Sequence, residues 1–176
     1  MKKLLALSGL VLATSTAFAV EQPYLGLDYV QSVYELDGGG DASPAFVQLR
    51  AGTDLTRNLG LEARVSVGVA DDVITSGGIK YALNIDSMYT FGVVGRLPWG
   101  NHGSLYAQAA YSYMQISAES SGILPDTETN DGGFSWGAGF VFPAWHNYNL
   151  ELDYTSYFDG NEYMLSGFGV GFRRYF

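Results

Sequence analysis

Residues 166–176 read SGFGVGFRRYF, and their alternation of bulky apolar residues with glycine predicts a β-strand. Phe168, Val170 and Phe172 share one face, whereas the opposite face carries glycines and Arg173. The stretch ends on an aromatic residue. A strand with one oily face and one face of glycine and charge is typical of the strand that closes a barrel in lipid, where an open sheet edge is not tolerated.

Residues 1–19 have the features of a secretory signal peptide. Two lysines precede an apolar run at residues 4–11, and an A-x-A cleavage site ends at Ala19. We expect removal of this segment, which leaves residues 20–176 as a single outer-membrane barrel domain. An uncleaved amino-terminal anchor is the alternative, but the apolar run is too short for a hydrocarbon core about 30 Å thick.

The composition narrows the class of function. The formal net charge is −9, which argues against nucleic acid as a partner. The chain has no cysteine, so it offers no disulfide framework, thiolate metal site or cysteine nucleophile. Its 23 glycines and 13 tyrosines suit membrane strands with interfacial aromatic residues. After the signal segment no apolar run is long enough to predict a transmembrane helix.

Eight segments alternate with the period of two that strands require. They cover residues 24–34, 45–55, 59–70, 81–97, 104–117, 134–142, 148–158 and the stretch after residue 161. Short turns at residues 56–58, 98–103 and 143–147 alternate with loops at residues 35–44, 71–80, 118–133 and 159–161, of which the last is itself short. The pattern predicts an all-β fold, an eight-stranded antiparallel up-and-down transmembrane β-barrel with short turns in the periplasm and loops outside.

The volume of the barrel decides which face points inward. The interior of an eight-stranded barrel is just wide enough for side chains to fill it, and the many large residues of the oily face would overfill it. We therefore expect glycine, serine and charged residues in the lumen and the oily face in lipid; a soluble lipocalin-like barrel is the alternative. Aromatic belts are predicted at Trp99, Trp145, Tyr148 and Phe176 on the periplasmic side and at Tyr34, Tyr113, Trp136 and Phe158 on the outer side.

The inward face carries charges of both signs, all in the half nearest the short turns. These residues are Asp28, Arg50, Glu62, Arg64, Glu151, Asp153 and Arg173. Single charges are costly in a narrow lumen, whereas neighbours of opposite sign can satisfy one another. We predict a luminal charge network that plugs the barrel. A gate, in which alternative ion pairs open a thin water path, is the other possibility.

Candidate catalytic groups are few. The histidines are His102 and His146, both in short turns, and Ser104 near His102 has no third partner for nucleophilic chemistry. Asp71 and Asp72 are adjacent and would point to opposite faces of a strand. We therefore predict no enzyme and no catalytic site, with lipid A modification as the remaining enzymatic alternative.

The outer loops are acidic, and carboxylates at a lipopolysaccharide surface could take up Ca²⁺ or Mg²⁺. Their spacing matches no EF-hand loop, and loops kept soluble by charge are the favoured explanation. We accordingly predict no metal site and no cofactor.

The chain resembles the small outer-membrane barrels of the OmpA/OmpX and opacity-protein type, in the broad porin-like group. The resemblance covers the mature chain and rests, beside the signal segment, on YLGLDYV (24–30), LGLEARVSVG (59–68), LYAQAAYSYM (105–114), NLELDYTSY (149–157) and GVGFRRYF (169–176). It implies a monomer in the cell outer membrane, in contact with lipid and lipopolysaccharide. Its role would be structural or in surface interaction, or else that of a narrow pore for small solutes.

The resemblance also implies folding by the barrel-assembly machinery, which reads the last strand. Gly171, Phe172 and Phe176 are the residues that match this assembly signal. Arg174 departs from the pattern, because the family has an apolar residue two positions before the end. On a lipid face near the periplasmic rim, its long side chain can still reach water.

Overall fold

The computed structural model describes residues 22–36, 41–70, 72–76, 79–120, 127–159 and 163–176, so the predicted signal peptide lies outside the described residues. The strands are β1 (Gln22–Leu36), β2 (Asp41–Ala42), β3 (Ala45–Thr56), β4 (Leu59–Ala70), β5 (Asp72–Ser76), β6 (Ile79–Pro98), β7 (Ser104–Ser120), β8 (Thr127–Trp145), β9 (Tyr148–Asp159) and β10 (Tyr163–Tyr175). None of the described segments is a helix of the length and hydrophobicity needed to cross a bilayer.

Eight of these strands close into an antiparallel barrel. The order around it is β1, β3, β4, β6, β7, β8, β9 and β10, with each strand paired to the next. The first and last strands then pair with each other, from Tyr24 opposite Tyr175 to Leu36 opposite Tyr163. The small strands β2 and β5 pair with β1 and β6 at one end. The predicted eight-stranded barrel is therefore confirmed.

The two ends of the barrel differ. The end with the short connections at residues 57–58, 99–103 and 146–147 is called the turn end, and the opposite end the loop end. The predicted loops at residues 71–80 and 118–133 are wrong in part, because β5 pairs with the start of β6 and the β7–β8 ladder continues to Ala118 opposite Thr127. Backbone pairing extends these strands through polar residues, where hydrophobic alternation gives no signal.

Charged, polar and small residues line the turn half of the interior, as the volume argument predicts, whereas larger apolar residues fill the loop half. Leu27 is 58% exposed and Phe168 is 67% exposed on the outer surface, whereas Arg50 and Arg173 are fully buried inside. The barrel therefore reverses the usual arrangement of a soluble protein: its oily side chains cover the outside.

Two aromatic residues that were predicted in the outer belt lie inside the barrel instead. Tyr34 follows the alternation of β1, in which even-numbered residues point inward. Phe158 points inward because a register shift leaves Tyr157 as an extra residue in β9, with Phe158 opposite Leu165 and Ser156 opposite Ser166. The belt prediction fails at both positions for reasons of strand geometry.

Candidate functional site

The barrel interior brings together all seven inward charges that the sequence indicates. Five strands supply this charge network: β1 provides Asp28, β3 Arg50, β4 Glu62 and Arg64, β9 Glu151 and Asp153, and β10 Arg173. Each of the seven residues is at most 8% exposed. Because strands from opposite walls contribute, the network spans the lumen in the turn half of the barrel.

Arg50 is the hub of the charge network. Its guanidinium lies 3.1 Å from the Asp28 carboxylate and 3.1 Å from that of Asp153, and it forms a close ion pair with Glu151. It also donates a hydrogen bond of 3.2 Å to the Tyr106 hydroxyl. One guanidinium on β3 thus compensates a carboxylate on the adjacent strand β1 and two carboxylates on β9, three strands away around the barrel.

Arg64 and Arg173 complete the pairing. Arg64 donates to the Glu62 carboxylate over 2.7 Å and lies 3.4 Å from Asp153. Arg173 lies 2.7 Å from Glu151 and 3.3 Å from Glu62. Every carboxylate in the network has at least one guanidinium partner, which is the condition for keeping charge in a space this narrow.

Two buried tyrosines belong to the same network, although the sequence analysis did not single them out. The Tyr24 hydroxyl donates to Glu62 over 2.5 Å, and the Arg173 guanidinium lies 4.2 Å from the centre of the Tyr24 ring. The Tyr106 hydroxyl donates to Asp153 over 2.9 Å. Both tyrosines lie on the inward face of their strands by alternation, and this alternation is the sequence signal that indicates them.

A further ion pair, outside the charge network, closes the lumen at the turn end. Arg96 and Asp54 are in close contact, and Arg96 also donates to the Tyr24 hydroxyl over 2.7 Å. Asn58, in the turn between β3 and β4, donates to the Arg96 carbonyl over 2.8 Å. Within the described residues, the interior ion pairs thus join four arginines with five carboxylates.

Two glycines of the last strand provide room for the network. A methyl group at Gly171 would overlap the Asp28 carboxylate, and one at Gly169 would overlap the Asp153 carboxylate. The glycine face that is so clear in the sequence is therefore the wall against which two network carboxylates pack. Gly171 has this packing role whether or not the assembly machinery also reads it.

The loop half of the interior is filled by apolar side chains, which the sequence analysis did not predict. This apolar plug consists of Val30, Tyr34, Ala42, Phe46, Ile85, Met88, Met114, Tyr157, Phe158 and Leu165. The Phe46 and Tyr157 rings meet edge to face with centroids 5.5 Å apart, and Tyr34 stacks on Tyr163 at 5.2 Å. The lumen therefore has two layers, ionic in the turn half and apolar in the loop half.

Removal of an aromatic ring from the apolar plug should destabilise the barrel. For Phe46→Ala we expect the free energy of unfolding to fall by about 3–5 kcal/mol, because a fully buried aromatic side chain is replaced by a cavity. Urea unfolding of the refolded protein in detergent micelles measures this change. Phe91→Ala is the matched control, since Phe91 is 62% exposed on the outer surface. Equal losses for the two variants would contradict a packed plug.

The remaining belt residues lie on the exterior. Near the turn end these are Trp99, Trp145, Tyr148 and Phe176, and further toward the loop end Tyr113 and Trp136. Their position at the two membrane surfaces stays a prediction.

The candidate catalytic residues do not converge on a site in the described part of the chain. His102 and His146 are exposed in separate turns at the turn end, and Asp71 lies outside the described residues. No cluster of three or more potential metal ligands occurs among the residues that the structure describes.

Similar solved structures are small bacterial surface barrels. Ail, the attachment invasion locus protein of Yersinia pestis, aligns with a TM-score of 0.63 and 15% identity over 88% of this chain and 98% of its own. Neisserial surface protein A aligns with a TM-score of 0.66 and 14% identity over 88% and 97%. OprG of Pseudomonas aeruginosa aligns with a TM-score of 0.63 and 11% identity over 88% and 96%. At these identities the likeness concerns the fold.

No curated protein sequence matches the chain. A family model described as the outer membrane protein beta-barrel domain matches residues 4–176, which is nearly the whole chain. Together with the closed barrel, its oily exterior and its charged interior, this match shows that the chain belongs to the outer membrane protein β-barrel family and is a protein of the outer membrane.

Proposed function

We propose that this protein is a closed, non-enzymatic barrel that reinforces the outer membrane and presents its loop end to partners outside the cell. The observation that carries the proposal is the filled lumen, with the charge network in one half and the apolar plug in the other. As in other outer-membrane barrels, the turn end faces the periplasm and the loop end the exterior. Export by a signal peptide cleaved after Ala19 is part of the proposal.

The two layers block the lumen by different means. In the turn half, a passing ion would have to separate Arg50 from four carboxylates at once. In the loop half, the ion would have to pass aromatic rings such as those of Phe46 and Tyr157. These rings provide few polar groups to replace the water molecules that the ion loses. Eight strands leave no additional width around these side chains.

A gated pore is the second candidate, because Arg64 has two carboxylate partners. It lies 2.7 Å from Glu62 and 3.4 Å from Asp153, so a small movement exchanges one ion pair for the other. This exchange opens nothing unless the apolar plug also moves.

Planar-bilayer recording of the refolded protein distinguishes the two candidates. We expect no persistent openings from the wild-type barrel, because both layers block the path. Phe46→Ala disturbs the apolar plug and Arg64→Ala disturbs the charge network. Both variants are recorded alongside the wild-type protein. Persistent, ion-selective openings of the wild-type protein that Arg64→Ala abolishes would replace the closed barrel with the gated pore.

The loop end offers a surface for strand addition. The β7–β8 ladder reaches Ala118 opposite Thr127, whereas β9 pairs with β8 only up to Trp136 opposite Ser156. Within the described residues, β8 therefore has no strand partner on its other side along residues 127–135. Such an edge can accept an extended segment of another protein through backbone hydrogen bonds.

The charge of this edge favours a basic partner segment. Residues 127–135 read TETNDGGFS, with two acidic residues and no basic one. Asp41 and Asp159, both exposed, add negative charge at the same end of the barrel. Ail was crystallised with the heparin analogue sucrose octasulfate. Heparin analogues are anionic, whereas the acidic loop end of this chain suits positively charged ligands.

Binding of a lysine-rich extended peptide to the protein in lipid nanodiscs tests strand addition. We expect Asn130→Lys to weaken binding by about tenfold, because it places a like charge on the open edge itself. Ser43→Lys adds the same charge elsewhere at the loop end, where Ser43 is exposed, and should change binding far less. Equal weakening by both variants would mean that overall charge, not the strand edge, governs binding.

The non-enzymatic part of the proposal is tested on lipid A. His102 and His146 lie at the turn end, whereas the lipid A of an outer membrane lies in the leaflet at the loop end. Mass spectrometry of lipid A should therefore give the same species from cells with and without the protein. Loss of an acyl chain only in cells with the protein would contradict this part of the proposal, and its persistence in His102→Ala and His146→Ala would exclude both histidines as the catalytic groups.

A further inference from the structure

Arg174 is a charged residue on the lipid-facing surface of the barrel. It is exposed near the end of β10, between Leu25 of β1 and Tyr148 of β9, which are also exposed. It belongs to none of the ion pairs that the described residues form, in contrast to the adjacent Arg173, which lies inside. A guanidinium at the edge of the hydrocarbon is most stable where its long side chain reaches polar groups of the membrane surface.

Two aromatic rings hold the guanidinium. Its central carbon lies 5.0 Å from the centre of the Phe176 ring and 5.5 Å from that of Tyr148, within the range of cation–π attraction. Both rings are exposed on the outer surface, as is Trp145 opposite Tyr148. Tryptophan and tyrosine in such positions mark the level of lipid headgroups. The charge is therefore placed at the depth where phosphate groups lie.

The chemistry of the side chain specifies its partner. A guanidinium presents a rigid fork of N–H donors that matches the oxygens of a phosphate in a bidentate manner. At the turn end, the leaflet in contact with the barrel is the periplasmic one, so the nearest phosphates are those of glycerophospholipids. An anionic headgroup suits the site better than a zwitterionic one, because no acidic side chain in the described part of the chain pairs with this arginine.

We infer that Arg174, held by the Tyr148 and Phe176 rings, is a binding site for the phosphate of an anionic phospholipid in the periplasmic leaflet. The site belongs to the exterior of the barrel and does not depend on whether the lumen conducts or the loop end binds a partner.

Fluorescence quenching by brominated lipids tests this inference. Trp99→Phe and Trp136→Phe leave Trp145 as the single tryptophan reporter, two strands away from Arg174 with Tyr148 of β9 between them. The protein is refolded into phosphatidylcholine bilayers that contain a minor fraction of either brominated phosphatidylglycerol or brominated phosphatidylcholine. We expect several-fold stronger quenching of Trp145 by the phosphatidylglycerol probe.

Three variants in this background separate a built site from general attraction. Arg174→Gln should remove the preference, and Arg174→Lys should retain only part of it, because lysine keeps the charge without the fork. Arg57→Gln is the control, since Arg57 is an exposed cation in the turn between β3 and β4. A heat-modifiability gel establishes that each variant is folded.

The inference fails if the preference survives in Arg174→Gln, or if Arg57→Gln lowers it as much as Arg174→Gln does. Inorganic phosphate, added at constant ionic strength, should leave the preference unchanged. Its loss under phosphate would show that the site takes a free anion instead of a lipid headgroup, and would overturn the assignment.

Discussion

Replacing Arg50 with methionine should lower the free energy of unfolding by about 3–5 kcal/mol, the range for breaking a buried ion pair by removing one partner. Methionine keeps much of the side-chain stem but removes the charge that lies against Asp28, Glu151 and Asp153. These carboxylates would remain in the lumen with excess negative charge and without water to solvate them. The penalty arises from the unpaired groups left behind more than from the loss of one attraction.

Urea unfolding in detergent micelles, followed by tryptophan fluorescence, measures this loss. Arg57→Met removes an arginine from an exposed turn and should change the free energy of unfolding by less than about 0.5 kcal/mol. Adding Asp28→Asn to Arg50→Met should recover part of the stability, because Arg50 is the only guanidinium paired with Asp28 among the described residues and a neutral amide is cheaper to bury than the carboxylate left unpaired. A double variant less stable than Arg50→Met alone would contradict this account of the charge network.

Gly171→Ala should destabilise the barrel by about 1–3 kcal/mol, the usual cost of an added methyl group in a filled interior. The methyl group would overlap the Asp28 carboxylate and the Leu27 carbonyl oxygen. To make room, Asp28 would have to move from its position 3.1 Å from Arg50. The substitution therefore acts on the charge network and on the pairing of the first and last strands together.

Gly95→Ala is the matched control for this prediction. Gly95 is an exposed residue of β6, and the nearest atom to an added methyl group would be the Ala107 carbonyl oxygen at 3.9 Å. Refolding from urea without assembly machinery isolates packing from recognition of the last strand. If Gly171→Ala refolds and unfolds in vitro like wild type but assembles poorly in cells, its role is in recognition and the packing explanation is wrong.

Hydrophobic alternation predicted the barrel and the composition of the turn half of its lumen. Arg50, Glu62 and Arg64 alternate with apolar residues in uninterrupted strands, so one assignment of faces placed all of them inside. The volume of the barrel then indicated which face was inside, because the many large residues of the oily face would have overfilled it. Which charged residues meet across the lumen, such as Arg50 and Glu151, depends on the tilt of the strands in the closed barrel. Alternation along a single strand does not predict these pairs.

Part of the loop half escaped prediction because two of its strands break the period. An irregularity between Ile85 and Ser87 turns Ile85 inward and leaves Asp86 exposed, and the extra residue Tyr157 does the same for Phe158. One added residue reverses every inward and outward assignment beyond it. A single sequence does not reveal such a shift when the residues around it can lie either inside the barrel or on its outer surface.

The layered filling of the lumen bears on translocation. A cylinder that enters the membrane from the periplasm must lead with its loop end, and the leading half of its bore contains hydrocarbon and aromatic groups. The arginines of the bore travel in the trailing half and stop short of the far leaflet. The reverse arrangement would carry each guanidinium through the bilayer centre, where an ionised side chain is most costly. The polarity gradient along the bore thus favours entry in one direction.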